Sequence, residues 1–306
     1  MRKDTKRLKR RVLQVLTSVF IAVLIIGAFV FVTYGRDIPV LQPHGVIAEQ
    51  QYQLILITTL LGIFVVVPVF ILLFTIAWKY REGNTKATYD PGFEGSRWLE
   101  ALWWGIPCLI IIILAIITAI STHALDPYKQ LQSDKKAINV QVVSLEWKWL
   151  FIYPDEGVAT VNYLNVPENT PINFTITSDA PMNSFWVPAL GGQVYAMTGM
   201  STKLHLMANG VGTYNGASAN LSGDGFAGMR FVVNAKTQTD FETWVQESKK
   251  SPNFLTSITY NELRQPTKDV PQKTYGLVTD GIYDAVILKY MSPKSGETEH
   301  TSGEDH

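Results

Sequence analysis

Two apolar stretches, residues 54–78 and 99–120, limit what this chain can fold into more than anything else in it. Each exceeds the roughly 20 apolar residues that a helix needs to cross the hydrocarbon of a bilayer. Their one charge is Glu100, at the very start of the second. Helices buried in a soluble core rarely run so far without a polar face, so the pair reads as a membrane hairpin. Pro68 and Pro107 fall inside the runs, and lipid-embedded helices tolerate proline where neighbours satisfy the freed carbonyls. A third run, residues 12–34, follows the basic stretch Arg2, Lys3, Lys6, Arg7, Lys9, Arg10 and Arg11. A retained membrane helix and a cleaved signal sequence both have this form, and both readings stay open. No lipoprotein-type cysteine follows it.

The flanking charges orient the hairpin. Lys79, Arg81, Lys86 and Arg97 stand between residues 78 and 99, whereas Arg36 stands alone between the first run and the second. Basic loops stay on the cytoplasmic side, so the N-terminus and the 79–97 loop face inward and everything after about residue 122 faces outward. Trp98, Trp103, Trp104 and Tyr80 cluster at the inner boundary, as interfacial aromatic belts do.

Beyond residue 138 the period changes. Residues 138–143, 172–177 and 203–207 alternate apolar and polar side chains, separated by turn signals at 167–169, 191–192, 209–210 and 223–225. Short strands at such spacing predict an antiparallel sandwich or barrel. A helix is expected over 240–249, with Thr239 or Asp240 as its cap. The Gly/Ser/Glu/His-rich tail from Ser292 reads as disordered. Formal net charge is zero, which gives no electrostatic case for nucleic acid. The single cysteine, Cys108, lies in an apolar run, so no disulfide forms within the chain and no thiolate exists in the soluble part. His44, His123, His205, His300 and His306 lack ligand spacing. Met182, Met197, Met200, Met207 and Met229 read as core packing rather than copper handling.

Three phrases in order behind this hairpin carry a resemblance: residues 144–149 (Ser-Leu-Glu-Trp-Lys-Trp), 183–191 (Asn-Ser-Phe-Trp-Val-Pro-Ala-Leu-Gly) and 214–229, from Tyr-Asn-Gly-Ala-Ser to Met. Over about residues 45–235 the chain resembles subunit II of the haem–copper oxidases, closest to the cytochrome bo-type quinol oxidases. The resemblance implies an α-helical membrane hairpin joined to an all-β, cupredoxin-like Greek-key sandwich. The expected partition is an N-terminal signal or anchor at 1–35, the hairpin at 36–123, the sandwich at 124–237, a C-terminal helical extension at 238–290 and a tail at 291–306.

In the cytochrome c oxidase branch this domain holds the two-copper centre CuA, on one histidine and a later Cys-x-Glu-x-Cys-x3-His-x2-Met run. Here the first histidine position is Asn183, the cysteine positions are Ser218 and Ser222, the glutamate position is Asn220, the second histidine position is Phe226, and only Met229 matches. Two bridging thiolates suit soft copper; protonated hydroxyls and a phenyl ring do not. The resemblance therefore implies no metal or other cofactor in this chain and no soluble cytochrome c as partner. Haems and copper would sit in a partner subunit I, with membrane quinol as the substrate of the complex. The chain itself would be a non-catalytic subunit of a proton-pumping quinol:dioxygen oxidoreductase in the bacterial inner membrane, its sandwich on the outer face. Trp147 occupies the copper branch's electron-transfer tryptophan position and reads here as a buried core aromatic. Glu100 matches a glutamate that the family places at the mouth of a proton channel, and a helix-end carboxylate favoured by the helix dipole fits it equally. The sequence leaves ubiquinol against menaquinol open, and a stand-alone, membrane-tethered cupredoxin-like assembly or binding protein is the alternative.

Overall fold

The computed structural model describes Gly27 and residues 38–81, 84, 85, 87, 92 and 95–291. The 12–34 run, Arg36, Lys86 and the tail lie outside the described residues, and the expectations placed on them with it. Pro39–Leu41 forms one 3-10 turn within a small N-terminal unit ending at Gln42. All that follows belongs to a second unit.

That unit begins with two long helices, α1 (Val46–Lys79) and α2 (Arg97–Ala124). Ala48 is the only side chain either helix buries, and so wide an apolar surface is compatible with lipid and not with water. At 1.5 Å per residue α1 is about 51 Å long, well beyond a hydrocarbon core of about 30 Å. The surplus is the polar start, Glu49, Gln50, Gln51 and Gln53, which continues the helix below the apolar run. This start is seated on the β-domain. His44 N–H donates to the Ala189 carbonyl (2.8 Å) and Ala48 N–H to that of Leu190 (3.2 Å). Gly45 pairs with Ala208, and a Cβ on Gly45 would lie 2.8 Å from the carbonyl oxygens of both Leu190 and Met207. Only glycine permits that approach. Pro68 and Pro107 stand inside continuous helix.

The β-domain contains β1 (Ile138–Leu145), β2 (Lys148–Tyr153), β3 (Val158–Val161), β4 (Tyr163–Pro167), β5 (Ile172–Ser178), β6 (Asn183–Trp186), β7 (Val194–Ala196), β8 (Thr202–Leu206), β9 (Gly212–Ser218) and β10 (Arg230–Lys236). A C-terminal extension adds α3 (Gln238–Ser248), β11 (Phe254–Leu255), α4 (Ser257–Leu263), β12 (Lys273–Tyr275), β13 (Leu277–Val278) and α5 (Ile282–Met291). One sheet has the order β12-β3-β2-β1-β5-β8 and the facing sheet β4-β10-β9-β6-β7, with β11 and β13 as a separate pair. This is the expected two-sheet sandwich with one difference. Two pairings within the sandwich are parallel, β1 with β5 and β4 with β10. They arise because the chain changes sheets after β3 and again after β4, so strands meeting side by side are separated by crossovers rather than hairpins.

The interior holds Trp149, Phe151, Phe174, Phe185 and Phe231, with the Phe185 and Phe231 rings stacked at 5.0 Å. Alternation along β1 and β2 sends Val143, Leu145, Leu150 and Ile152 to the opposite face, where Leu255, Tyr260, Tyr275, Ile282, Tyr283 and Val286 of the extension cover them. The first sheet is thus covered on both sides around β2, which explains why that strand reads Lys-Trp-Leu-Phe-Ile-Tyr without a solvent-facing position. Helix α3 starts earlier than its sequence suggests. Its cap is Thr237, whose side chain accepts the Asp240 N–H and donates to the Asp240 carboxylate, a reciprocal arrangement that outcompetes Thr239 or Asp240 as cap.

Candidate functional site

Three loops converge at one end of the sandwich: the β1–β2 turn, the β5–β6 connection and the β9–β10 connection. Asn183 opens β6 and is 1% exposed; Ser218 closes β9 and is 6% exposed. Strand β6 pairs with both β7 and β9, which brings these two positions together. Ser218 Oγ donates to Asn183 Oδ1 (2.7 Å), while Asn183 Nδ2 donates to Ser144 Oγ and to the Pro181 carbonyl, both at 3.0 Å. Asn220 Nδ2 closes the loops against each other through the Met182 carbonyl (2.9 Å). Ser218, Asn183 and Ser144 therefore form a closed polar chain, with the donors and acceptors of Asn183 used within the protein.

Ser222, Phe226 and Met229 join this group mainly through backbone. Phe226 is half-buried at the start of a 3-10 turn, Phe226–Gly228. Met229 is buried, and its carbonyl accepts the Ser218 N–H (3.1 Å). The Ser222 carbonyl accepts the indole N–H of Trp147 (3.0 Å). The donor set of the converged loops is two hydroxyls, two carboxamides, a thioether and a phenyl ring, and it does not fit a two-copper centre. None of these groups is a thiolate or an imidazole, the ligands that soft copper selects.

Trp147 is not the buried core aromatic the sequence suggests; that place is taken by Trp149. Trp147 is half-buried, has φ +61° and roofs the β9–β10 loop. A Cβ on Gly225 would come within 2.3 Å of its ring, so the loop glycine makes room for the indole. The methionines also depart from expectation. Only Met229 is a core residue; Met182 and Met200 are exposed and Met197 and Met207 half-buried, in loops where the chain turns between strands. The described histidines are dispersed: His44 lies against Tyr214, His123 bonds the Ala119 carbonyl and His205 meets Asn173. No group of three His, Cys, Asp or Glu side chains able to hold a metal ion occurs among the described residues.

Two ionisable residues beside these loops escaped the sequence reading. Asp179, at the end of β5, has a fully buried side chain. It accepts hydrogen bonds from Tyr260 Oη (2.8 Å), Tyr290 Oη (2.7 Å) and Lys289 Nζ, with Arg264 Nε at 3.8 Å. Burial pushes its pKa up, but the donors Lys289, Tyr290 and Tyr260 outweigh burial and hold the carboxyl below its ordinary value. Lys148 is 1% exposed. It donates to the Gln265 carbonyl (2.7 Å) and to Thr267 Oγ1, and burial lowers its pKa against the opposing pull of Glu146. The partners of Asp179 and Lys148 lie 81 to 119 positions away, and no local signal in the chain announces them.

Glu100 sits far from this site along the chain, in the first turn of α2, exposed, with its N–H bonded to the Ser96 carbonyl (2.9 Å). Trp98, Trp103 and Trp104 around it are exposed, as is Tyr80 at the end of α1.

Comparison with known proteins covers the chain in three consecutive stretches. Residues 42–119 match the transmembrane domain of cytochrome c oxidase subunit II, residues 155–236 its periplasmic domain, and residues 249–294 the COX aromatic rich motif. A Pseudomonas putida protein named cytochrome bo(3) ubiquinol oxidase subunit 2 is 49% identical across 87% of this chain and 85% of its own length. The ubiquinol oxidase subunit 2 of Acetobacter aceti is 45% identical across 84% of each. A Bacillus cereus protein named quinol oxidase subunit 2 is 40% identical across 86% of this chain and 87% of its own.

Proposed function

The chain belongs to the subunit II family of the haem–copper oxidases, among relatives named subunit 2 of quinol oxidases, and we propose that it is the copper-free subunit II of a proton-pumping quinol:dioxygen oxidoreductase. The observation that carries this reading is the hydrogen-bonded set Ser144, Asn183 and Ser218, with Phe226 at a further ligand position. Electrons then have no relay through the sandwich. They pass from membrane quinol to the haems and copper of a partner subunit I, and soluble cytochrome c is not a donor. This chain anchors and caps the complex and holds none of the reacting groups. Relatives carry both ubiquinol and quinol in their names; the 49% identity to a ubiquinol enzyme favours ubiquinol.

The membrane is the bacterial inner membrane, with the sandwich on its outer face. The basic residues Lys79, Arg81 and Arg97 at the ends of α1 and α2 remote from the sandwich support that orientation. Glu100 lies at the same inner end, and its role is to feed protons toward subunit I. A stand-alone tethered protein has nothing specific in its favour beside the three consecutive subunit II matches.

Purification of the tagged chain from membranes in mild detergent tests the reading. Haem should co-purify, oxygen consumption should follow added quinol, and elemental analysis should find no copper attributable to the outer domain. Near-infrared CuA absorption, or turnover driven directly by reduced cytochrome c, overturns it.

A further inference from the structure

The loops of the converged site are fastened from outside. Segment 256–291 reaches each of them: Thr267 and Gln265 hold Lys148 beside Trp147, Lys289, Tyr290 and Tyr260 hold Asp179 at the start of the β5–β6 connection, and Lys268 pairs with Asp224 (3.8 Å) in the β9–β10 loop while lying over the Trp147 ring. At Gly228 a Cβ would come within 2.5 Å of Asp269 Oδ1, so the loop and the extension are in contact there. Asn162, which accepts the Trp149 N–H (2.9 Å), donates in turn to the Val270 carbonyl (2.7 Å).

We propose that segment 256–291 is an obligatory clamp, which fixes the three converged loops by supplying the hydrogen-bond partners of two charged groups buried in the sandwich, Asp179 and Lys148. The side chain of Asp179 is fully buried, whereas those of its cations Lys289 and Arg264 are each 35% exposed. Removal of the extension strands the carboxylate and leaves its former partners free to hydrate, so the penalty falls on the sandwich. A buried charge without its partners is strongly destabilising. The same holds in the reverse sense for Lys148, whose ammonium donates to acceptors of the extension. In place of a bridging metal, the loops share one folded strap held by opposite charges at its two buried contacts.

Amide hydrogen exchange on the full-length chain, purified from membranes in mild detergent, tests the clamp. Lys289→Met removes the nearer of the two cations and leaves the carboxylate of Asp179 in place with Arg264 at 3.8 Å. Exchange at 179–183 and 219–228 should accelerate by about a hundredfold, as expected for a buried carboxylate that loses its hydrogen-bonded cation, with α1 and α2 unchanged. The double variant Asp179→Asn/Lys289→Met removes the charge as well and should restore most of that protection. Acceleration confined to α5, or a double variant no better than the single one, overturns the proposal. If Lys289→Met fails to accumulate, Tyr290→Phe deletes one donor and keeps both charges. It should speed exchange in the same loops by about tenfold, the loss of one hydrogen bond to a charged group, and unchanged loops there overturn the proposal equally.

Discussion

Asn183 stands at the position that the resemblance pairs with an imidazole of the copper-bearing branch, and its carboxamide is engaged on both sides: it donates to Ser144 and Pro181 and accepts from Ser218. The substitution pattern is self-consistent, because a serine at 218 supplies the donor that a lone carboxamide oxygen in a buried site requires. Asp179 shows a second residue-level balance. Its donors hold the carboxyl below its ordinary value against the effect of burial. A carboxyl depressed on folding adds stability that is complete above the ordinary carboxylate range and is lost as pH falls through the folded value. The melting temperature of the unaltered chain should therefore exceed that of Asp179→Asn at neutral pH, with the gap closing below about pH 4; a constant gap across the titration contradicts this. At Glu100 the prediction concerns function. Glu100→Gln in reconstituted oxidase should slow turnover and proton uptake together by several-fold. Unchanged rates mean that the carboxylate only complements the N-terminal dipole of α2.

At the scale of elements, α1 does two jobs along its length. From Leu54 on it is apolar, and before that its polar turns lie against the sandwich, where Gly45, Gly191 and Gly192 leave room for the helix start. A Cβ on Gly191 would meet Leu206 and Ile47, and one on Gly192 would meet Gln51. Gly45→Val should therefore push the start of α1 off the sandwich at a cost of about 2–4 kcal/mol, the range for an overpacked, backbone-restricted site. Thermal unfolding of the β-domain, followed by its buried tryptophan, reads that loss, and the membrane helices should keep their helical content. The sandwich strands show a related dependence. Both faces of β2 are covered, one by the facing sheet and the other by the extension, so its unbroken run of large side chains reflects a third layer rather than a single core.

For the whole molecule, the hairpin attaches to the β-domain at both of its outer ends, through Gly45 before α1 and the segment after Ala124. The connection between α1 and α2 is then at the opposite end. With Cys108→Ala as background, Ser133→Cys should react with a membrane-impermeant maleimide in intact spheroplasts, and Thr85→Cys only after permeabilisation. The reverse pattern rejects the proposed orientation.

The membrane hairpin and the sandwich class were legible in the sequence because each is carried by local information. Run length, a period of two and the identity of side chains in a short phrase need no knowledge of distant neighbours. The early start of α3 is local too, but the reciprocal bond between Thr237 and Asp240 identifies its cap, whereas residue type alone offers Thr239 and Asp240 as well. What the tertiary structure alone decided was which charges are buried and who satisfies them. Lys148 looks like a surface lysine between two tryptophans, and Asp179 like a turn residue, until strands β1, β2 and β5 bring them under a segment more than 80 residues away. Burial and partnership are properties of the folded surface, set by strand order and layer packing, and the chain encodes them only through the fold as a whole.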